Sequence, residues 1–212
     1  MTVLQALGGF AVVAALLTIL PGPDSALILR SALTQSKKHA YATASGIATG
    51  TFVWGAAAAV GAAALLAASE FAFTVLKIVG ALYLAYLGIS MIVKSFRRRI
   101  EATDLPAPVG SLAAAFGRGA LTNLLNPKVG VFYIALIPQF IPDGVAPVGM
   151  GLLLALVHVL ESLVWFTGLI LAAHFARKWL SRPSVSAWID RVTGGILVAF
   201  GAVLAAESRS AG

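Results

Sequence analysis

Residues 1–23 carry no charged side chain, and neither do residues 40–69. A helix that spans a bilayer needs about 20 predominantly apolar residues, so both runs are long enough to lie in lipid. Composition points the same way. The 212 residues are 59% hydrophobic and 11% charged, against roughly 45–50% and about 25% in soluble domains. So few charges cannot cover a water-soluble globule, which excludes a soluble enzyme and a disordered chain. The lack of cysteine excludes a disulfide scaffold, thiol redox chemistry and Cys-based metal sites. The formal net charge of +7 then reads as cationic loops facing anionic lipid, not as a nucleic-acid footprint.

Six apolar segments can be placed, at about 3–33, 40–68, 71–93, 112–137, 148–176 and 188–205. The first is interrupted by Pro21-Gly22-Pro23-Asp24 and the fourth by Asn126-Pro127-Lys128. Proline removes an amide donor and clashes with the preceding turn, so each segment is expected as two half-helices. Most of the Lys and Arg fall in connections that six crossings put on one face. They are Arg30, Lys37 and Lys38; Lys94, Arg97, Arg98, Arg99 and Arg118; and Arg177, Lys178, Arg182 and Arg191. The opposite connections hold Glu70 and Asp143 and no cation. The positive-inside rule then puts both termini outside and leaves the first helix uncleaved. Trp179 and Trp188 flank an inner loop as interfacial anchors do.

The halves match. Superimposed, Gly22-Pro23-Asp24 falls on Asn126-Pro127-Lys128. Three spans per half is an odd number, so the halves insert with opposite orientation. The expected fold is an all-α membrane protein of six transmembrane helices. These form two inverted three-helix repeats, the first helix of each broken at proline. The repeats cover residues 1–100 and 111–206, joined by a basic, proline-rich cytoplasmic loop at 101–110 and followed by a tail at 207–212. Paired interrupted segments are the best sequence pointer to a transporter substrate site; two unrelated proline kinks are the bland alternative.

The residues at these positions resemble the lysine exporter (LysE/RhtB) family of amino-acid exporters. The resemblance is carried by Pro21-Gly22-Pro23, by Lys77 followed by Gly80-Ala81-Leu82-Tyr83-Leu84-Ala85-Tyr86-Leu87-Gly88, and by Asn126-Pro127-Lys128 through Phe132 to Pro138-Gln139-Phe140. It implies a bacterial inner-membrane exporter of amino acids or close derivatives, coupled to the proton-motive force. It also implies substrate contacts along Pro21, Gly22, Pro23, Asp24, Asn126, Pro127, Lys128 and Gln139, and an outer gate at Lys77 and Tyr83. Two departures stand out. The family often has Asn where this chain has Asp24, and Gln35-Ser36-Lys37-Lys38-His39 lacks the family's flanking glycine.

Charges at membrane depth cost roughly 2.5–3.5 kcal/mol each on insertion scales and mark candidate functional groups. Asp24 is either an N-cap or a counter-charge for a substrate ammonium group, or a proton carrier. Lys128 opposes the dipole of its half-helix and needs a partner, which the repeat suggests is Asp24. The two form either a static ion pair or one that a zwitterion opens. Glu161 shares a helix face with His158 and Trp165. It is either a neutral, hydrogen-bonded carboxyl or, with His158 and Asp24, part of a proton relay. One His and one Glu are too few for a closed metal site, and no cofactor is expected. Lys77 also suits snorkelling to the headgroups. Gly46 and Gly50 serve either a homodimer contact or internal packing. The readings weighed are thus a secondary exporter of small zwitterionic or cationic amino acids coupled to protons, a cation or metal exporter, and an intramembrane enzyme. The last lacks H-E-x-x-H and G-x-S-x-G.

Overall fold

A computed structural model describes residues 1–96 and 110–173, together with scattered residues between 182 and 202. Among the described residues there are seven α-helices, one 3-10 turn and no strand. The helices are α1 (Val3–Ile19), α2 (Pro23–Thr34), α3 (Lys37–Ala68), α4 (Glu70–Ser95), α5 (Leu112–Leu124), α6 (Pro127–Leu136) and α7 (Pro147–Leu171). The 3-10 turn Ile137–Phe140 follows α6. The loop at 101–109 and most of the sixth apolar segment lie outside the described residues.

Helix starts follow their capping residues. Ser36 and Ser111 accept the amides of His39 and Ala114, and Thr2 with Gln5 forms a capping box. Because Ser36 caps α3, that helix begins at Lys37, three residues before the apolar pattern suggests, and takes Lys37 and Lys38 into its first turn.

Both expected breaks are present. Leu20, which precedes Pro21, has left the helical region at φ −56 and ψ 126, as a residue before proline must. Pro23 and Pro127 each occupy the first turn of the half-helix that follows, where a missing amide costs nothing. The bends are nearly equal: 55° between Val3–Ile19 and Pro23–Thr34, and 58° between Leu112–Leu124 and Lys128–Phe140. Two helices, Lys37–Ala68 and Pro147–Leu171, are long and apolar enough to cross a membrane, and counting each bent pair as one span raises the number to four.

Small residues on α3 let its neighbours come close, as in lipid they must for packing to hold helices together. A side chain at Gly46 would run into the Phe116 carbonyl of α5, and one at Gly119 of α5 into the Thr43 carbonyl. One at Gly55 would meet Ala155 of α7, and one at Gly151 would meet Ala59. The Gly46/Gly50 pair therefore serves internal packing against α5. The same contacts give direction: residue numbers on α3 and α5 rise together, whereas those on α3 and α7 run oppositely. A core of Phe10, Phe132, Tyr133, Leu136, Ile137 and Leu154 joins α1, α6 and α7, with Phe10 edge-on to Phe140 at 5.5 Å between ring centroids. The N-terminal ends of α3 and α5 are tied where His39 Nε2 meets the Gly110 carbonyl at 2.9 Å.

Candidate functional site

The two breaks meet at one cavity. Gly22, Pro23 and Asp24 line it from the first half, and Asn126 and Lys128 line it from the second. Asn123, Thr51, Ser25, Thr18, His158 and Ser162 complete its polar wall. Its volume is about 30 Å³, room for little more than one water molecule.

Each break presents a charged side chain in the first turn of a helix. In α2, Gly22 is the N-cap and makes no side-chain cap bond, while Asp24 follows Pro23 inside the helix. The capping alternative for Asp24 is thereby corrected: the cap position lies two residues earlier. The Asp24 carboxylate instead accepts from Asn123 Nδ2 at 3.0 Å. Its other oxygen, Oδ1, is buried without a hydrogen-bond donor among the described residues. A carboxylate in the first turn is favoured by the helix dipole. In α6 the cap is Asn126, whose Oδ1 accepts the Lys128 amide at 3.1 Å. The Lys128 ammonium crosses to the other break. A Cβ built on Gly22 would lie 3.4 Å from Lys128 Nζ, and the ammonium is close enough to Asp24 for their charges to interact.

Above the breaks lies a buried polar chain. Tyr133 Oη meets His158 Nδ1 at 2.8 Å, and His158 Nε2 meets Thr18 Oγ1 at 3.0 Å. Thr18 gives its own proton to the Ala14 carbonyl at 2.9 Å, so it accepts from His158 Nε2–H. In the neutral ring Nδ1 then accepts from the Tyr133 hydroxyl. Ser162 Oγ lies 3.4 Å from Thr18 Oγ1 and closes the chain.

The sequence reading also paired His158 with Glu161. The structure corrects this: both ring nitrogens of His158 are occupied by Tyr133 and Thr18, leaving none for Glu161. Glu161 instead lines an apolar groove together with Ala15, Thr18, Ile19, Leu160, Val164 and Trp165. Glu161 Oε2 and Trp165 Nε1 are buried there without hydrogen-bond partners among the described residues. Thr18 borders both the groove and the cavity.

Two of the expected contact residues do not line the cavity. Pro21 is absent from its wall, although Leu20 and Gly22 on either side of it are part of it. Gln139 is buried in the 3-10 turn at the far end of α6. That ten-residue helix carries it about 15 Å from the break. The side chains of Lys77, Tyr83 and Pro127 lie outside the described residues. Asn123, Thr18, Tyr133, Ser162 and Thr51 were not singled out from sequence. Asn123 had a signal: it is an amide at membrane depth, three residues ahead of Asn126. The hydroxyls had none, because Ser, Thr and Tyr are common in apolar helices.

Known proteins are similar to this chain in sequence. The family described as LysE type translocator matches residues 15–208. The uncharacterized membrane protein YrhP of Bacillus subtilis (strain 168) is 32% identical over 199 residues, spanning 89% of this chain and 93% of its own. The threonine efflux protein of Escherichia coli (strain K12) is 31% identical over 186 residues, 85% and 88% of the two chains. The homoserine/homoserine lactone efflux protein of Salmonella typhimurium is 30% identical over 192 residues, 90% and 91% of the two chains. No solved structure matches the chain significantly.

Proposed function

This chain belongs to the LysE family of translocators, a membrane transporter and not an enzyme, and on that premise we propose that it exports a small zwitterionic amino acid or close derivative from a bacterial cytoplasm. The observation that carries the reading is the cavity between the two helix breaks, with Asp24 on one and Lys128 on the other. A substrate ammonium group takes Asp24. Its carboxylate takes Lys128 and the open amides at the start of α6, which a helix N-terminus offers to any anion. Two relatives named for threonine efflux and for homoserine efflux make threonine and homoserine the first substrates to test.

A cavity of about 30 Å³ is too small for either molecule, so loading requires the half-helices to part. In an exporter built of two inverted repeats over six spans, one repeat rocks against the other and opens the site to each side in turn. The inner membrane supplies the drive: one proton entering down a 100 mV potential releases about 2.3 kcal/mol. Glu161 is the proton carrier in this scheme, and Thr18 borders both its groove and the cavity that holds Asp24. Cations cluster on the connections assigned to the cytoplasm, which puts both termini outside.

The test is reconstitution of the full chain in vesicles loaded with threonine, homoserine and an amino-acid mixture, with and without an imposed pH gradient. Gradient-stimulated release of one of these solutes is expected. Release of divalent cations with no amino-acid flux would move the chain to the cation-exporter reading. Glu161→Gln should abolish the stimulation while downhill release continues. Full stimulation in that variant removes Glu161 from the coupling scheme.

A further inference from the structure

We propose that Asn123, seated on Gly50, is a positioning residue that makes the cavity selective for a substrate ammonium group. This rests on the reading of the cavity as the substrate site. Asn123 lies in the last turn of α5 and is 1% exposed. Its amide is the described hydrogen bond to the Asp24 carboxylate, and so ties the second half of the chain to the first. A carboxylate only accepts, so the amide nitrogen must face Asp24 and the amide oxygen must turn away. It turns toward α3: a Cβ at Gly50 would lie 2.8 Å from Asn123 Oδ1 and 3.0 Å from Asn123 Cβ. Gly50 is therefore the space that lets the amide take this orientation, and the second glycine of the α3 pair holds a polar side chain where the first holds only backbone.

The consequence falls on Asp24. One carboxylate oxygen is held by Asn123, which fixes the plane of the group. The other is buried with no donor among the described residues, in a residue that lines the cavity. A neutral amide orients the carboxylate without cancelling its charge. A guanidinium or ammonium in the same place would close the site as a paired salt bridge. What remains is one oriented carboxylate oxygen at the cavity, with the Lys128 ammonium and the Asn126 side chain close to the group. Its complement is a cationic N–H donor. A hydroxyl in the same position offers a weaker bond and no charge, so an amino acid is taken and the matching hydroxy acid refused.

The experiment compares L-threonine with 2,3-dihydroxybutanoic acid, in which a hydroxyl replaces the ammonium group, using the full chain in vesicles. The unaltered chain is expected to release threonine at least about tenfold faster, the scale of a lost hydrogen bond to a charged group. Asn123→Leu, close in size but with no donor, and Asn123→Ser, too short to reach Asp24, should each lose most of that preference. Both should still move threonine, because Asp24 and Lys128 remain. A merely structural role would lower both rates together and leave their ratio alone. If Asn123→Leu does not reach the membrane, Asn123→Ser decides. Wild-type preference in a folded variant overturns the inference and leaves the export reading intact. If the unaltered chain releases no amino acid at all, the export reading falls and the inference with it.

Discussion

The two helix breaks use one backbone device and differ in what they hang on it. Each places a proline in the first turn of its half-helix, each bends the chain by nearly the same angle, and each puts a charged residue directly after that proline. The first break carries Asp24 and caps its helix with a bare Gly22; the second carries Lys128 and caps its helix with the side chain of Asn126. The cation of the second break lies against the bare cap of the first, with the position where a Gly22 side chain would begin 3.4 Å from Lys128 Nζ. Duplicated geometry with opposite charges is what a zwitterion calls for, and two like-charged breaks would not supply it.

That comparison can be broken in graded ways. The largest effects should come from erasing either charge: Asp24→Asn or Lys128→Met is expected to reduce threonine release roughly a hundredfold, as loss of a charge-assisted contact does. Vesicle efflux measures this, and near-normal rates in either variant would leave the two charges with only a structural part. Exchanging them, Asp24→Lys with Lys128→Asp, sharpens the test. If the breaks are equivalent frames, the double variant should recover part of what each single exchange loses, and a double variant no better than either single would show that the frames are not interchangeable. Asn126→Ala removes the cap from the second break and should cost about 1 kcal/mol, read as a modest fall in thermal unfolding temperature in detergent. The smallest effect belongs to Gly22→Ala. Its φ of −157 is extended backbone and its new methyl would make an ordinary contact, so the cost is only the gap between Gly and Ala at an N-cap, roughly half a kcal/mol. Gly22→Leu, by contrast, has to displace Lys128 and should approach the loss seen for Lys128→Met.

Much of this architecture is legible in the amino-acid order. The charge-free runs, the two proline interruptions and the near-equivalence of Asp24 and Lys128 are local properties, and local properties survive into the fold. The assignments that needed revision all concern which side chain faces which. Spacing put His158 and Glu161 on one face of α7, and they are indeed neighbours along it. Yet a helix face is wide enough for one to turn to Tyr133 and Thr18 and the other to the groove. Gln139 belongs to the same sequence motif as Lys128, but a helix separates them. Asn123 was passed over because an uncharged amide in an apolar segment gives little sign of its partner, which lies on a helix remote in sequence.

The order of residues by itself determined that this chain must lie in a bilayer and where its two proline breaks fall. These follow from solvation and from the chemistry of proline, and neither needs a neighbour. Only the tertiary structure decided that Gly46 and Gly50 of α3 receive α5, that Asn123 donates to the Asp24 carboxylate, and that His158 is held between Tyr133 and Thr18. Those outcomes depend on distances between segments far apart in the chain. Such distances are set by how closely backbones can approach, and no single segment contains that information.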